Sequence, residues 1–290
     1  MSTSMSGNSP ESAFKQKFIT VRWGANALIS LYISVLSGII VALQYSAAEP
    51  FYSTSAIELI VPYGSFWRAM HYYSSQAFLL LLFCHFIAVV WENDHYYTRG
   101  SWVRLTLSIP VTLLLMFTGY ILRDDATGEA AGAIAENIAL SIPLFGQWFN
   151  NFFLAISAGG LKRVYAHHLA GLMVIGAYCI WPHLRRYSTR WRSHLPLIIS
   201  ILMISILFVT PIEPPRFGLL HIAGPWFFLG LQELLRYIHP FWAGFVFPMI
   251  FIVALLNLPH EGRKRPLYLW LIWLWLFIYG LLTLISYQRI

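Results

Sequence analysis

The chain has 290 residues, of which 58% are hydrophobic and 11% charged, and a formal net charge of +7. Apolar runs of about 20 residues, the length a helix needs to cross a hydrocarbon core, recur along it, and this excludes a soluble domain. The positive charge is the topology signal of a membrane bundle and not a nucleic-acid footprint, so membrane lipid is an expected partner and nucleic acid is not.

Met1 to Ser9 are polar, and the first apolar run lacks a small-residue cleavage site, so no cleavable signal peptide is expected. Seven spans follow, at roughly 24–46, 70–91, 105–122, 163–184, 195–210, 240–258 and 266–287, separated by breakers that include Pro50, Pro143, Pro214, Pro215 and Pro259. The stretch from Asp124 to Gly160 is mixed in character and reads as a folded surface excursion. Trp226 to Tyr237 is amphipathic and too short to cross, so it is expected at the membrane interface. Lys15, Lys17, Arg22, Arg99, Arg104, Arg185, Arg186, Arg190, Arg192, Arg263, Lys264 and Arg265 gather on one side, which predicts a cytoplasmic N-terminus. The opposite side holds Glu49, Glu58, Asp124, Asp125, Glu129, Glu136, Glu213 and Glu233, and redox partners are expected to dock there.

Histidines recur at matched intervals in two of these spans: His71 and His85 are 14 residues apart, His168 and His183 are 15 apart. At about 100° and 1.5 Å per residue, each interval returns to within roughly 40 to 60° of its starting direction and spans about 21 to 22 Å. A lone histidine in a membrane helix can simply bond a neighbouring carbonyl. Two pairs on antiparallel helices instead place one imidazole from each helix at each of two depths, which predicts two bis-histidine b-type haems. No carboxylate or thiolate accompanies either pair at ligand spacing, which disfavours a bare metal site. Cys84 and Cys179 sit mid-helix without a C-x-x-C-H motif, so any c-type haem belongs to a partner.

Gly24 and Gly38 repeat the 14-residue interval, and Gly119 stands near the end of the third span. Glycines there are expected to let a flat macrocycle approach the backbone. Arg68 and Arg163 precede His71 and His168 and are expected at the propionates of the outer haem. His167 lies beside His168 but points about 100° away.

Trp23-Gly24, Leu36-Ser37-Gly38, Trp67-Arg68-Ala69-Met70-His71, Cys84-His85, Thr118-Gly119-Tyr120-Ile121-Leu122, Ser141-Ile142-Pro143 and the run from Arg163 to His168 with His183 together resemble cytochrome b of the cytochrome bc complexes. The 15-residue interval is more like the b6 type, and Arg123-Asp124-Asp125 resembles a Leu-Pro-Asp-Asp version in some menaquinol-linked bacterial members. The run from Gly224 to Leu235 is similar to the start of the family's C-terminal part, which carries a Pro-Glu-Trp-Tyr motif.

The resemblance implies an all-α integral membrane protein, with a haem-binding four-helix bundle in residues 1–190 and a three-helix portion in 191–290. It implies a b subunit of a multi-subunit, dimeric respiratory complex in a bacterial inner membrane, transferring electrons in quinol or menaquinol chemistry. Its expected partners are a Rieske-type iron-sulfur protein and a c-type cytochrome. The four histidines match the ligands position by position, and His168 is taken over His167 because Arg163 then falls where the family has its arginine. Gly224 and Pro225 replace the motif's proline and glutamate, and proline cannot accept a quinol proton. Asp124, Asp125 and Glu233, with Glu213 and His221 nearby, are the groups left to do so. On the inner side His194, Arg22 and Arg190 are placed to meet a reduced quinone, and Leu105 stands where a haem-facing glycine is expected. Two other readings fit parts of the sequence: a haem conduit between a periplasmic redox protein and a single inner quinone site, and a haem-free proton-relay transporter or scaffold.

Overall fold

The computed structural model describes residues 10–92, 97–186, 189–214, 222–258 and 262–289, and among them there is no β-strand. His221, Pro215 and Pro259 lie outside the described residues. The helices in chain order are α1 (Pro10–Thr20), α2 (Trp23–Ala42), α3 (Pro50–Leu59), α4 (Gly64–Glu92), α5 (Arg99–Thr106), α6 (Ser108–Ile121), α7 (Ala126–Leu140), α8 (Gly146–Phe153), α9 (Leu161–Ala166), α10 (Leu172–Leu184), α11 (Leu195–Leu207), α12 (Leu229–Leu234), α13 (Phe247–Leu256) and α14 (Arg265–Tyr287).

Among the described residues five helical stretches are long and apolar enough to cross a membrane: α2, α4, α5 with α6, α9 with α10, and α14. The fifth and sixth expected spans are shorter apolar helices, Trp191–Leu207 and Phe241–Leu256. Pro110 interrupts the third stretch, because it has no amide to bond the Thr106 carbonyl, and the chain turns at Leu107. The second stretch starts earlier than expected, at Gly64, where any Cβ would stand 2.0 Å from the Ile57 carbonyl of α3.

α2 packs along α4 through small residues, among them the buried Ala27, Ser30, Ser34, Ser37, Ala69 and Ser74. Small side chains let the two backbones approach closely, which is how helices associate where lipid is as apolar as the interface. Two of the serine hydroxyls turn back on their own helices: Ser37 donates to the Ile33 carbonyl and Ser74 to the Met70 carbonyl, each at 2.6 Å, while Ser34 meets Ser75 of α4 at 2.7 Å. α10 packs on α6 and completes the bundle.

The excursion after α6 is folded, as expected. α7 and α8 close over the bundle end around Ile121, Leu122, Ala131, Ala139, Leu154 and Val164. Glu136 ties its two helices together, accepting from Asn150 Nδ2, the Ser157 amide and the Ser157 hydroxyl at 3.0 Å each. The C-terminal helices attach to the other end through Trp102, Ala254, Leu255, Leu258 and Ile272, with Trp102 Nε1 donating to the Leu255 carbonyl at 3.0 Å.

The stretch around α12 packs against the C-terminal helix. Leu229, Leu231 and Glu233 are buried, and Gly230 is pressed against Tyr279 and Thr283 of α14. Glu233 looked like the polar face of an amphipathic helix, but it is neutralised inside the protein by Tyr237, Arg236 and Arg289.

Candidate functional site

The four histidines meet in two pairs within the bundle. The rings of His71 (α4) and His168 lie 6.3 Å apart centre to centre, and those of His85 (α4) and His183 (α10) lie 6.2 Å apart. Two imidazoles bound on opposite sides of one metal, with about 2.0–2.1 Å from metal to nitrogen and about 1.2 Å from nitrogen to ring centre, have centres about 6.4 Å apart. Both pairs fit a single metal held between them. Among the described residues there is no cluster of three or more His, Cys, Asp or Glu that could hold an ion.

The outer pair is oriented by its remaining ring nitrogens. His71 Nδ1 donates to the Ser34 carbonyl of α2 at 2.8 Å. His168 Nδ1 lies 2.9 Å from Thr118 Oγ1, and that hydroxyl gives its own proton to the Leu114 carbonyl at 2.8 Å. The network assigns the Nδ1–H tautomer to both rings and leaves both Nε2 lone pairs for a metal.

His168 sits in a π-helical turn, His167–Gly171, between α9 and α10. A π turn accommodates an extra residue. It therefore absorbs the difference between the 15-residue interval of this helix and the 14-residue interval of α4. His167 points elsewhere, with its ring 4.7 Å from Phe153 and 5.2 Å from Phe152 and its Nε2 3.2 Å from the Phe152 carbonyl. His168 is thus the member of the adjacent pair that faces His71.

The glycines act on the histidines themselves. A Cβ on Gly24 would stand 2.9 Å from His85 Cε1, one on Gly38 2.8 Å from His71 Cε1, and one on Gly119 3.3 Å from His168 Cε1. Each glycine therefore opens room for an imidazole, where the sequence suggested room for a macrocycle.

Each pair faces a cavity, 720 Å³ at the inner histidines and 240 Å³ at the outer ones, and Leu31, Phe78, Thr112, Leu115 and Met173 line both and form the layer between them. Leu105 lines the inner cavity, as does the exposed Arg22 at its rim. His194 is buried near this rim, with Nδ1 2.6 Å from Asn26 Oδ1 and a buried Nε2 that has no hydrogen-bond partner. Arg190 is exposed.

Arg68 lines the outer cavity, and its guanidinium is held by Glu58 at 2.5 Å, by Thr210 and by the Pro211 carbonyl at 2.7 Å. Arg163 does not join it, being exposed on α9 outside the cavity lining. The second arginine of the lining is Arg123, with Tyr45 and Tyr165. Position in the chain pointed to Arg163 because it precedes His168. Arg123 is drawn in by Asp125, which no spacing rule reveals.

The three acids separate clearly. Asp125 is fully buried and caps α7: its Oδ1 accepts from the Gly128 amide at 3.0 Å, and its Oδ2 accepts from Arg123 Nε at 2.9 Å and the Glu213 amide at 3.1 Å. Glu233 is held away from the histidine cavities by the C-terminal arginines, and Glu213 accepts from the Thr127 hydroxyl at 2.6 Å. Asp124 is half-buried, in the left-handed backbone region at φ 52°. Burial, then the nearby Glu129 and Asp125, push its carboxyl above the usual range.

Comparison with known proteins agrees with this architecture. The sequence model of the family described as Cytochrome b/b6/petB matches residues 11–188. A cytochrome b6 of Heliomicrobium gestii is 27% identical over 166 residues, 55% of this chain and 78% of that protein. Cytochrome b of Bugula neritina is 24% identical over 279 residues, 83% of this chain and 75% of that protein. A chain of a hyperthermophilic respiratory Complex III has a similar fold, with a TM-score of 0.62 over 91% of this chain and 82% of that one, at 20% identity.

Proposed function

The chain belongs to the cytochrome b/b6 family, and from that premise we propose that His71 with His168 and His85 with His183 each hold one b-type haem. The observation that carries this reading is the near-equal separation of the two ring pairs, 6.3 and 6.2 Å, each matching two imidazoles across one metal. A haem held by two of these histidines would supply one-electron transfer and leave no open site for a substrate. The protein's own residues set the rest. Ser34 and Thr118 fix the outer imidazoles, Gly24, Gly38 and Gly119 admit the rings, and Leu31, Phe78, Leu115 and Met173 give the two sites a shared apolar lining.

On this reading the protein is the b subunit of a bc-like respiratory complex that moves electrons across a bacterial inner membrane, with its N-terminus cytoplasmic. Residues 1–190 form the haem bundle and 191–290 complete the quinone or menaquinone sites. Its partners are a Rieske-type iron-sulfur protein and a c-type cytochrome, in a dimeric assembly. Asp124 is the acid assigned to outer proton transfer. It is free of the cap and ion pairs that occupy Asp125 and Glu233, and a carboxyl shifted toward neutral pH is a better base at that pH. On the inner side Arg22, at the cavity rim, and His194, paired with Asn26, are the groups assigned to the quinone.

Haem extraction from the purified full chain tests this reading. Two haems per polypeptide are expected, and one or none would overturn it.

A further inference from the structure

Between Glu136 and Lys162 the chain carries no charged side chain, although this stretch leaves the bundle and folds over its outer end. A water-facing excursion would carry charges at about one residue in four. Within the stretch, α8 presents three distinct sides. At about 100° per residue, Gly146 and Asn150 face the core, where both are buried and Asn150 Nδ2 donates to Glu136 at 3.0 Å. Gln147 and Asn151 fall on the far side, exposed, with Gln147 Nε2 donating to Asn151 Oδ1 at 3.0 Å. Phe145, Trp148, Phe149 and Phe152 share a third side, an arc of about 100°. Phe145, Trp148 and Phe152 are 68%, 63% and 50% exposed, and the Trp148 and Phe152 rings lie 5.6 Å apart and within 6° of parallel, which makes this side flat.

We propose that this aromatic side of α8 enters the lipid leaflet at the outer end of the bundle, so that the helix lies along the interface as an anchor with Gln147 and Asn151 toward water. Depth supports the assignment. The neighbouring span runs over Leu161–Leu184, and His167 lies about 9 Å along it from its first residue. Phe152 and Phe153 hold their rings 5.2 and 4.7 Å from the His167 ring. The end of α8 therefore stands inside the level at which that span begins, where headgroups give way to acyl chains and aromatic rings are favoured. Charge agrees with depth. Lys162 and Arg163 follow the charge-free stretch at once, exposed at the start of α9 and outside the outer cavity, at the level of lipid phosphates. A short helix with one side on protein, one toward water and one aromatic is thus matched to a lipid surface, and its polar side sets how far it sinks.

The test uses the full-length protein in nanodiscs of phosphatidylcholine and phosphatidylglycerol, with and without phosphatidylcholine that is spin-labelled near the head of its acyl chain. A bimane thiol label is attached to Trp148→Cys, Phe152→Cys and Asn151→Cys in turn, and the unmodified chain, with Cys84 and Cys179, gives the background. The spin-labelled lipid is expected to quench the labels at the first two positions about threefold more than the third, and iodide in the water to show the reverse order. Equal quenching of all three by iodide would put the aromatic side in water and overturn the proposal. Shielding of the first two from both quenchers would put a protein partner there and overturn it as well. A phosphatidylcholine with a diazirine in its acyl chain repeats the test on the unmodified chain, where no variant has to fold. It should label α8 together with the membrane-spanning helices, and labelling of those helices without α8 would contradict the assignment. Haem content enters neither readout, so failure of the two-haem reading and failure of this one are distinguishable.

Discussion

The Thr118 hydroxyl lies 2.9 Å from His168 Nδ1, and because it donates to the Leu114 carbonyl it can only accept from that ring. One side chain on α6 thus fixes the tautomer of a histidine on another helix and sets how basic its free nitrogen is. Thr118→Val is expected to leave the buried His168 N–H only the Leu115 carbonyl as a partner and cost ~1 kcal/mol of stability. The less basic ligand should raise the midpoint potential of the outer haem and leave the inner one unchanged. Thr118→Ser should restore both values, and a redox titration with a thermal melt checks the series.

Substitution of the three glycines should grade by the room each histidine has. Gly24→Ala and Gly38→Ala place a Cβ 2.9 and 2.8 Å from His85 and His71, distances that real contacts do not tolerate, whereas Gly119→Ala places one at 3.3 Å from His168. Overpacking of this kind costs ~1–3 kcal/mol, so haem retention should fall ~10-fold at the inner site for Gly24→Ala and at the outer site for Gly38→Ala. Gly119→Ala should be milder. Site-resolved haem spectra of the three variants check the order.

His167→Ala should leave both haem spectra intact and lower stability by ~1–2 kcal/mol through the lost packing on Phe152 and Phe153. His168→Ala should abolish the outer haem. Loss of the outer haem in the His167 variant would reassign the ligand.

The excursion formed by α7 and α8 should loosen in acid. Burial raises the Glu136 pKa, but the hydrogen bonds from Asn150 and from the amide and hydroxyl of Ser157 more than offset it, leaving the carboxyl below the usual range. A carboxyl depressed in the folded state contributes stability that is present above its unfolded pKa of about 4.3 and is lost as pH falls through the folded value. Limited proteolysis between α7 and α8 should therefore accelerate below about pH 4, and Glu136→Gln should be cleaved at a rate that no longer changes over that range.

The sequence revealed best what depends on period and length. The helices α2, α4, α6, α10 and α14 follow from apolar runs, and the pairing of four histidines follows from two intervals. The π turn at His167–Gly171 was not legible, because no residue type specifies it; it arises when an odd interval has to bring His168 and His183 onto one face. Arg163 was chosen by its place near His168, while Arg123 reaches the cavity through a buried pair with Asp125, a tertiary contact invisible to local pattern. Asp125 read as an available acid because the start of a helix and its N-cap look alike in a run of acids. Glu233 misled for the opposite reason: its partner Arg289 lies far along the chain.

A potentiometric titration of the intact membrane protein, followed in the visible spectrum, tests the two-haem account most directly. Two low-spin b-type components with separate midpoints are expected, the outer one disappearing in His71→Ala or His168→Ala and the inner one in His85→Ala or His183→Ala, each without disturbing the other. A single component, or loss of both from any one of these substitutions in folded protein, would contradict it.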